Sequence, residues 1–374
     1  MIVGVPAEVK KDESRVGLLP VGVELLTRDG HQVVVQRNAG ISAGYEDELY
    51  AASGATIVPD AAGVWGKAEL IVKVKEPQPQ EIAMMRHGQM VFTYYHFAAN
   101  RDMTVGCMEK GVTAIVYETL EQPGRSGRPE LPLLTPMSEV AGKMSVQEGA
   151  KFLEAPEGGR GILLGGIPGV SPAKVVVLGG GVVGTCAARM AAGLGANVII
   201  MDVNLERLRY LDEVMPANIR TVYSEPHAIR HHISDADLVI GAVLIPAAKA
   251  PRLIKREDLK LMRPGSVIVD VAIDQGGCFE TSKPTTHTDP IYVVDDVIHY
   301  CVANMPGAVP RTSTLGLTNA TLPWVLKIAS QGWRPIAQRD IGFARAIGLD
   351  NGKLYSQPVA EAHGLEHTEP AFAT

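Results

Sequence analysis

The densest chemical signal in this 374-residue chain is KVVVLGGGVVGTCAARMAAGLGANVIIMD. A β-branched run leads into Gly179-x-Gly181-x-x-Gly184, followed by a stretch of small residues with helical character and a second β-branched run that ends at Asp202. In a strand–turn–helix–strand unit the first glycine makes the tight turn. The second lets backbone approach a pyrophosphate at the helix N-terminus, and the third packs helix against strand. Asp202 then stands where a carboxylate accepts hydrogen bonds from the adenosine ribose hydroxyls. The same charge opposes a 2′-phosphate, so the pattern predicts NAD rather than NADP. The competing reading is a glycine-rich turn with Asp202 capping the next helix, and the flanking strands weigh against it.

An enzyme that moves a hydride to such a cofactor also needs an acid/base group and an anchor for its substrate. In open α/β sheets these lie beyond the carboxyl ends of strands. That rule selects His96 at the end of MVFTYYH, Lys75 at the end of LIVKVK, and Arg15 in the polar loop KKDESR after the first strand. Each has a plainer alternative: a satisfied histidine under a loop, a lysine sharing a solvated face with Lys73, an arginine in an ordinary charged loop. Their shared topological position favours function. In SVIVDVAIDQGG, Asp270 falls near the end of a strand and Asp274 in the loop beyond it. Position favours Asp274, although either can instead cap a helix or brace a turn. Val302-Ala303-Asn304-Met305 opens a Pro/Gly loop after the last strand, and Ser138 in TPMSEVAG has the look of a helix cap, though the residue three later is Ala141 and not Glu. No metal-ligand spacing is present.

The elements that must position these groups come in two alternating series. From residue 1 to 119 the runs IVGV (2–5), QVVV (32–35), ATIV (55–58), LIVKVK (70–75), MVFTYYH (90–96) and TAIVYE (113–118) alternate with helical stretches, which predicts a parallel sheet. EQPGRSGRPELP (121–132) breaks the rhythm with prolines, glycines and arginines, and a domain boundary is expected near it. A helix over Pro136 to Ala155 and a glycine-rich loop follow. KVVVL (174–178), NVIIM (197–201), IRTVY (219–223), DLVIGAV (237–243), SVIVDVA (266–272) and IYVV (291–294) then make a second series. TNATLPWVLKIASQGW reads as an amphipathic helix, and the tail beyond Leu349 carries little pattern and is expected to be peripheral.

Composition narrows the function class. Hydrophobic residues are 46% and the net charge is -6, which leaves material for buried cores and removes the basic footprint of a nucleic-acid binder. The four cysteines show no CxxC, which fits a reducing compartment. The N-terminus lacks the pattern of a secretory signal, and no apolar run reaches the ~20 residues needed to span a bilayer. A cytoplasmic protein with no membrane and no nucleic-acid partner is expected.

Taken together, these segments resemble the alanine dehydrogenases over essentially the whole chain. The resemblance rests on SRVG around Arg15, VKVKEP around Lys75, FTYYHFAA around His96, YET at 117–119 and LTPMSEVAG around Ser138. It continues through GGRGILLGGIPGV, VLGGGVVG, DLVIGAVLIP, VDVAIDQGGCFETSKPTTH and YCVANMPGAVPRTST. It implies that Arg15 and Lys75 hold the substrate carboxylate, that His96 is the acid/base and that Asp274 rather than Asp270 is the second catalytic residue. It also implies nucleotide contacts at Ser138, Val182, Val183, Asp202, Arg207, Ser224, Val243, Leu244 and Val302, Ala303, Asn304 and Met305, alongside Gly179, Gly181 and Gly184. The implied fold class is α/β, two doubly wound Rossmann-like domains with a cleft between them. Residues 1–130 and 308–374 would form the substrate domain and 131–307 the NAD-binding domain, in a homohexamer. The implied reaction is reversible oxidative deamination of L-alanine to pyruvate and ammonium. A soluble transhydrogenase component, an opine- or saccharopine-type dehydrogenase and a non-catalytic NAD-binding protein are the rivals. A binding module has no need of a carboxylate clamp with an acid/base. Two departures stand out: the loop 123–132 is longer than usual, and the aromatic neighbours of His96 replace leucines, a change expected to reshape the substrate pocket.

Overall fold

The computed structural model describes residues 1–124, 129–243 and 250–372. The chain divides into two compact units, Met1–Met137 with Gly307–Thr374, and Ser138–Pro306. Both are mixed α/β with mainly parallel sheets.

In the first unit, β1 (Ile2–Val5), β2 (Gln32–Gln36), β3 (Thr56–Val58), β4 (Leu70–Val72), β5 (Met90–Thr93) and β6 (Thr113–Val116) are parallel neighbours in the order β3-β2-β1-β4-β5-β6. β4 and β6 are buried at every position, as a parallel sheet covered by helices on both faces requires. The expected strands ending at Lys75, His96 and Glu118 stop three, three and two residues earlier, at Val72, Thr93 and Val116. Past those points β4 and β5 stay joined by single bonds, Lys73 N to Phe92 O and Tyr94 N to Val74 O, while the amides of Val74, Tyr95 and His96 turn to the carboxylates of Glu8 and Glu118. Gln122–Pro123 (β7) and Pro129–Glu130 (β8) pair as an exposed two-stranded ribbon; the residues between, 125–128, lie outside the described residues.

The second unit holds β9 (Lys174–Leu178), β10 (Asn197–Asp202), β11 (Ile219–Tyr223), β12 (Leu238–Gly241), β13 (Val267–Asp270), β14 (Ile291–Val294) and β15 (Val297–Tyr300), ordered β11-β10-β9-β12-β13-β15-β14. β9 is flanked by β10 and β12 in parallel register, with Val177 opposite Ile200 and Ile240. β15 was not expected from the sequence. Asp295 and Asp296 both adopt positive φ, 50° and 61°, which makes the tight two-residue turn of a β14–β15 hairpin. The helix expected over Pro136–Ala155 spans Thr135–Phe152.

The chain then returns to the first unit. The helix Pro310–Gln331 buries Leu317, Val325 and Ile328, and its Thr314 Oγ1 accepts from the Val16 amide at 3.3 Å. The tail is not peripheral, contrary to expectation. Ile347–Asp350 (β16) adds antiparallel to β6, Lys353–Leu354 (β17) adds outside it, and the helix Gln357–His363 follows. Leu349, Leu354, Val359 and Ala360 join the core that holds Val34 of β2, Ile71 of β4, Val91 of β5 and Ala114 of β6. Such short segments carry too few residues for periodicity to register, so only docking reveals them. Among the described residues no helix is long and apolar enough to cross a membrane.

Candidate active site and nucleotide site

In the first unit the strand order reverses between β1 and β4, the position where ligands bind beyond the carboxyl ends of an open sheet. Four loops contribute there: Glu8, Glu13 and Arg15 after β1, Lys73 to Glu76 after β4, Tyr94 to His96 after β5, and Glu118 after β6.

Arg15 is buried and held by a neighbour two residues away. Its Nε donates to Glu13 Oε1 at 2.7 Å, its Nη2 to Glu13 Oε2 at 2.5 Å and its backbone amide to Glu13 Oε1 at 2.9 Å. The bidentate pair occupies one edge of the guanidinium fork and fixes its plane. Nη1, on the other edge, lies 2.8 Å from Met137 Sδ. Burial alone would weaken the cation, but the Glu13 contact outweighs it and the Arg15 pKa is raised.

Lys73 braces the segment that carries Lys75. Lys73 is fully buried, at 0% exposure, rather than paired with Lys75 on a solvated face as the plainer alternative had it. Its Nζ donates to Glu8 Oε2 at 2.8 Å and lies 3.3 Å from Glu81 Oε1. Burial penalises this ammonium, yet the two carboxylates hold it charged and raise its pKa. Burial raises the Glu81 carboxyl in turn. The cluster fixes the backbone of Lys75: Lys73 Nζ and Thr93 Oγ1 both donate to Lys75 O, at 2.8 and 2.9 Å, and Glu8 Oε1 accepts from Val74 N at 2.6 Å. Beside it, burial would raise the Glu76 carboxyl, but Lys75 and Lys10 hold it below its ordinary value.

His96 adopts a left-handed backbone, φ 52°. A non-glycine residue held there costs about 1–3 kcal/mol and persists only when its surroundings enforce it. Its ring stacks on Tyr94, 5.9 Å between centroids and 4° between planes, and its side chain stays 44% exposed. Of the aromatic neighbours Tyr94 packs on the His96 ring, while Tyr95 is buried and stacks on Phe97 in the core. Tyr94 OH donates to Leu133 O at 2.5 Å. Two buried cations with fixed frames and an exposed imidazole suit a small carboxylate whose neighbouring atom exchanges protons.

In the second unit the order reverses between β9 and β12. Gly179 takes φ 105°, and a Cβ on Gly184 would sit 1.8 Å from Gly179 O, so the turn and the helix Val182–Gly193 meet too closely for any side chain. A Cβ on Gly181 would meet nothing within 4 Å, which leaves open space at the helix N-terminus where a pyrophosphate approaches backbone. Asp202, ending β10, accepts from Gly180 N at 2.7 Å and Asn204 N at 2.8 Å. A carboxylate has about four acceptor sites, so capacity for ribose hydroxyls remains. Arg207 braces the turn, donating from Nε to Gly180 O at 2.6 Å and from Nη2 to Thr185 Oγ1 at 2.8 Å. Ser224 follows β11 and its amide donates to Asp202 O at 2.9 Å; Val243 follows β12. After β15, Val302 and Met305 are buried while Asn304 adopts φ 61°. Ser138 lies inside its helix, which begins at Thr135, so it is no cap; one turn on, Gly142 abuts Val183 O. These residues fit a dinucleotide.

The two aspartates after β13 separate clearly. Asp270 is buried and caps the 3-10 turn Val271–Gln275, accepting from Ala272 N at 3.1 Å, Cys278 N at 2.8 Å and Ser282 Oγ at 2.5 Å. Burial pushes its carboxyl up to about 6 against those donors. Asp274, in the turn that Asp270 caps, is exposed.

Comparison with known proteins agrees with this layout. Residues 4–141 match the family description "Alanine dehydrogenase/PNT, N-terminal domain" and residues 145–357 the corresponding C-terminal domain. The chain belongs to the alanine dehydrogenase/PNT family. An alanine dehydrogenase of Halomonas elongata is 54% identical over 371 residues, 99% of each chain. The solved structure of an L-alanine dehydrogenase superposes with TM-score 0.92 at 50% identity, covering 97% of this chain and 99% of that one. A transhydrogenase from Sinorhizobium meliloti shares the fold at TM-score 0.82 and 25% identity, over 95% of this chain and 100% of that one.

Within this family frame, Arg15, Lys75 and His96 all stand at carboxyl ends of the first sheet. Gly179, Gly181, Gly184, Val182, Val183, Asp202, Arg207, Ser224, Val243, Asp274 and Val302 to Met305 follow strands of the second. Leu244 lies outside the described residues. Sequence reasoning missed the carboxylates behind the cations: Glu8 and Glu13 sit in AEVKKDESR, whose alternating charges read as a solvated loop, and Glu118 sits in YET. The signal was there in the form of acidic residues two places from a basic one or at a strand end.

Proposed function

We propose that the chain is an NAD-dependent L-alanine dehydrogenase, catalysing reversible oxidative deamination of L-alanine to pyruvate and ammonium. The observation that carries this reading is similarity to alanine dehydrogenases at about half identity, over 97–99% of this chain and 99% of theirs. Residues 1–130 and 308–374 serve the substrate and 131–307 the nucleotide.

NAD, when bound, supplies the acceptor for the hydride leaving the substrate α-carbon. Arg15 and Lys75 orient the substrate carboxylate; with Glu13 on one edge of the guanidinium, the substrate meets the Nη1 edge. Asp274 offers its carboxylate to the cationic carbon–nitrogen group left on the substrate. His96 takes a proton from the attacking water and returns it to the departing amine. Gly179, Gly181, Gly184 and the first turn, with Val182 and Val183, hold the pyrophosphate, and Asp202 the adenosine ribose. Ser138, Arg207, Ser224, Val243, Leu244 and the Val302, Ala303, Asn304 and Met305 loop complete the nucleotide site.

Exposed Leu163, Ile167 and Val170 lie close together in one loop and support self-association, for which we propose a homohexamer. Light scattering should give about six times the 39.9 kDa chain mass. Four unpaired cysteines support a cytoplasmic setting. The decisive assay follows NADH oxidation with pyruvate, with and without ammonium. Ammonium-dependent turnover is expected, and oxidation indifferent to both pyruvate and ammonium would overturn the assignment.

A further inference from the structure

The loop that carries His96 is held by a carboxylate that the reaction chemistry alone does not require. Glu118 stands at the carboxyl end of β6, the strand beside β5. Its Oε1 accepts from the His96 amide at 2.5 Å and from the Tyr95 amide at 3.1 Å, while Oε2 accepts from the Tyr95 amide at 3.2 Å. The same Oε1 lies 3.9 Å from His96 Nδ1, and the Glu118 side chain is only 16% exposed. Both amides therefore turn inward onto one carboxylate, and a residue with φ 52° needs such a constraint. His363 Nε2 lies 2.7 Å from Phe97 O, so the Phe97–Ala98 peptide is pinned as well.

We infer that Glu118 is the positioning residue of His96: it fixes the left-handed turn and faces Nδ1, leaving Nε2 as the ring nitrogen turned to the substrate. Three features separate this from general bracing. The contacts fall on the amide of His96 itself and on the one before it. The oxygen that holds the backbone is also the one facing the ring. Finally, the neighbouring catalytic groups have carboxylates of their own, Glu13 for Arg15 and Glu8 for the Lys75 segment, so Glu118 is not shared with them.

The inference rests on His96 being the acid/base, and the experiment separates the two. Glu118→Gln keeps an acceptor oxygen but loses the charge and the second acceptor. It is measured alone, in a His96→Ala background, and beside the wild type and His96→Ala, with NADH titration and thermal melting as controls. The expected result is a kcat lower by about 10- to 100-fold, the usual scale for an outer partner of a functional histidine, with KM for pyruvate and NADH binding little changed. In the His96→Ala background Glu118→Gln should cost nothing further. An equal cost in both backgrounds, or a raised KM with unchanged kcat, would overturn the positioning role while leaving the enzyme assignment intact. A His96→Ala enzyme with wild-type turnover would instead overturn the reading of His96. If Glu118→Gln does not fold, Glu118→Asp, which shortens the reach to the two amides, goes through the same cycle; failure of both to fold makes Glu118 structural and rejects the inference.

Discussion

The candidate groups of the two units stand at the same point of the same strand order and are built from opposite materials. Around β1 and β4 the groups are charged side chains, each held by a glutamate: Arg15 by Glu13, the Lys75 segment by Glu8 and Lys73, the His96 turn by Glu118. Around β9 and β12 the groups are backbone, and what matters is the absence of side chains at Gly179, Gly181 and Gly184. Ligand size explains the contrast. A three-carbon amino acid offers few atoms, so specificity must come from point charges with fixed directions. A dinucleotide offers a long anionic surface that a helix N-terminus and close-lying peptide groups can follow. Buried charge and glycine geometry therefore fail in different ways when altered.

The largest effect is expected from His96→Ala, which should fold and bind NADH yet lose about 100- to 10,000-fold in kcat, as removal of a general acid/base does. Retention of more than about a tenth of kcat would move the proton transfer elsewhere, with Asp274 the next residue to test.

Lys73→Met tests whether the first site depends on buried charge. Removing one partner of a buried pair destabilises by about 3–5 kcal/mol, here by leaving Glu8 and Glu81 facing each other without a cation. A urea melt should show that loss; a change under about 1 kcal/mol would mean that Glu81 takes up a proton at little cost.

Two alanine substitutions sharpen the glycine side. Gly184→Ala puts a methyl 1.8 Å from Gly179 O and should lower both stability, by about 1–3 kcal/mol, and NADH affinity. Gly181→Ala places its methyl in open space, so melting should not change while NADH affinity falls. Unchanged NADH affinity in Gly181→Ala would mean that the space there has no role in binding.

Asp202→Gly should shift the NAD:NADP ratio of kcat/KM toward NADP by about 10- to 100-fold, the scale of lost charged hydrogen bonds together with relieved repulsion. An unchanged ratio would leave Asp202 only its contacts with Gly180 and Asn204.

The smallest effect concerns Asp270, whose carboxyl burial raises to about 6 in the fold from an ordinary 3.8. Between those values the native state holds a proton that the unfolded chain has released. The contribution is thus fully present below about 3.8 and lost as pH rises through about 6. Wild type relative to Asp270→Asn should lose about 1 kcal/mol between pH 5 and pH 7 in denaturant melts. A gap that widens with pH would reverse the sign and make the ionised form the favoured cap.

Much of the fold was legible because parallel strands buried on both faces must be continuous apolar runs; KVVVL and NVIIM match β9 and β10 almost to the residue. The glycine motif was legible for a related reason: its requirement is local, set by one turn and one helix end. The tail was not, since β16, β17 and the helix Gln357–His363 are shorter than the window in which periodicity shows. Nor was the β14–β15 hairpin, whose Asp-Asp turn lacks the glycine that marks such turns.

The sequence by itself determined the two alternating α/β series, the glycine turn and the strands whose following loops carry Arg15, Lys75 and His96. Only the tertiary structure decided that Lys73 is buried against Glu8 and Glu81, that Asp270 caps the turn carrying Asp274, and that Glu118 grips the His96 loop. Charged residues of one type look alike along a chain. Burial and the nearest opposite charge give each its role, and both depend on contacts between segments as far apart as Glu8 and Lys73.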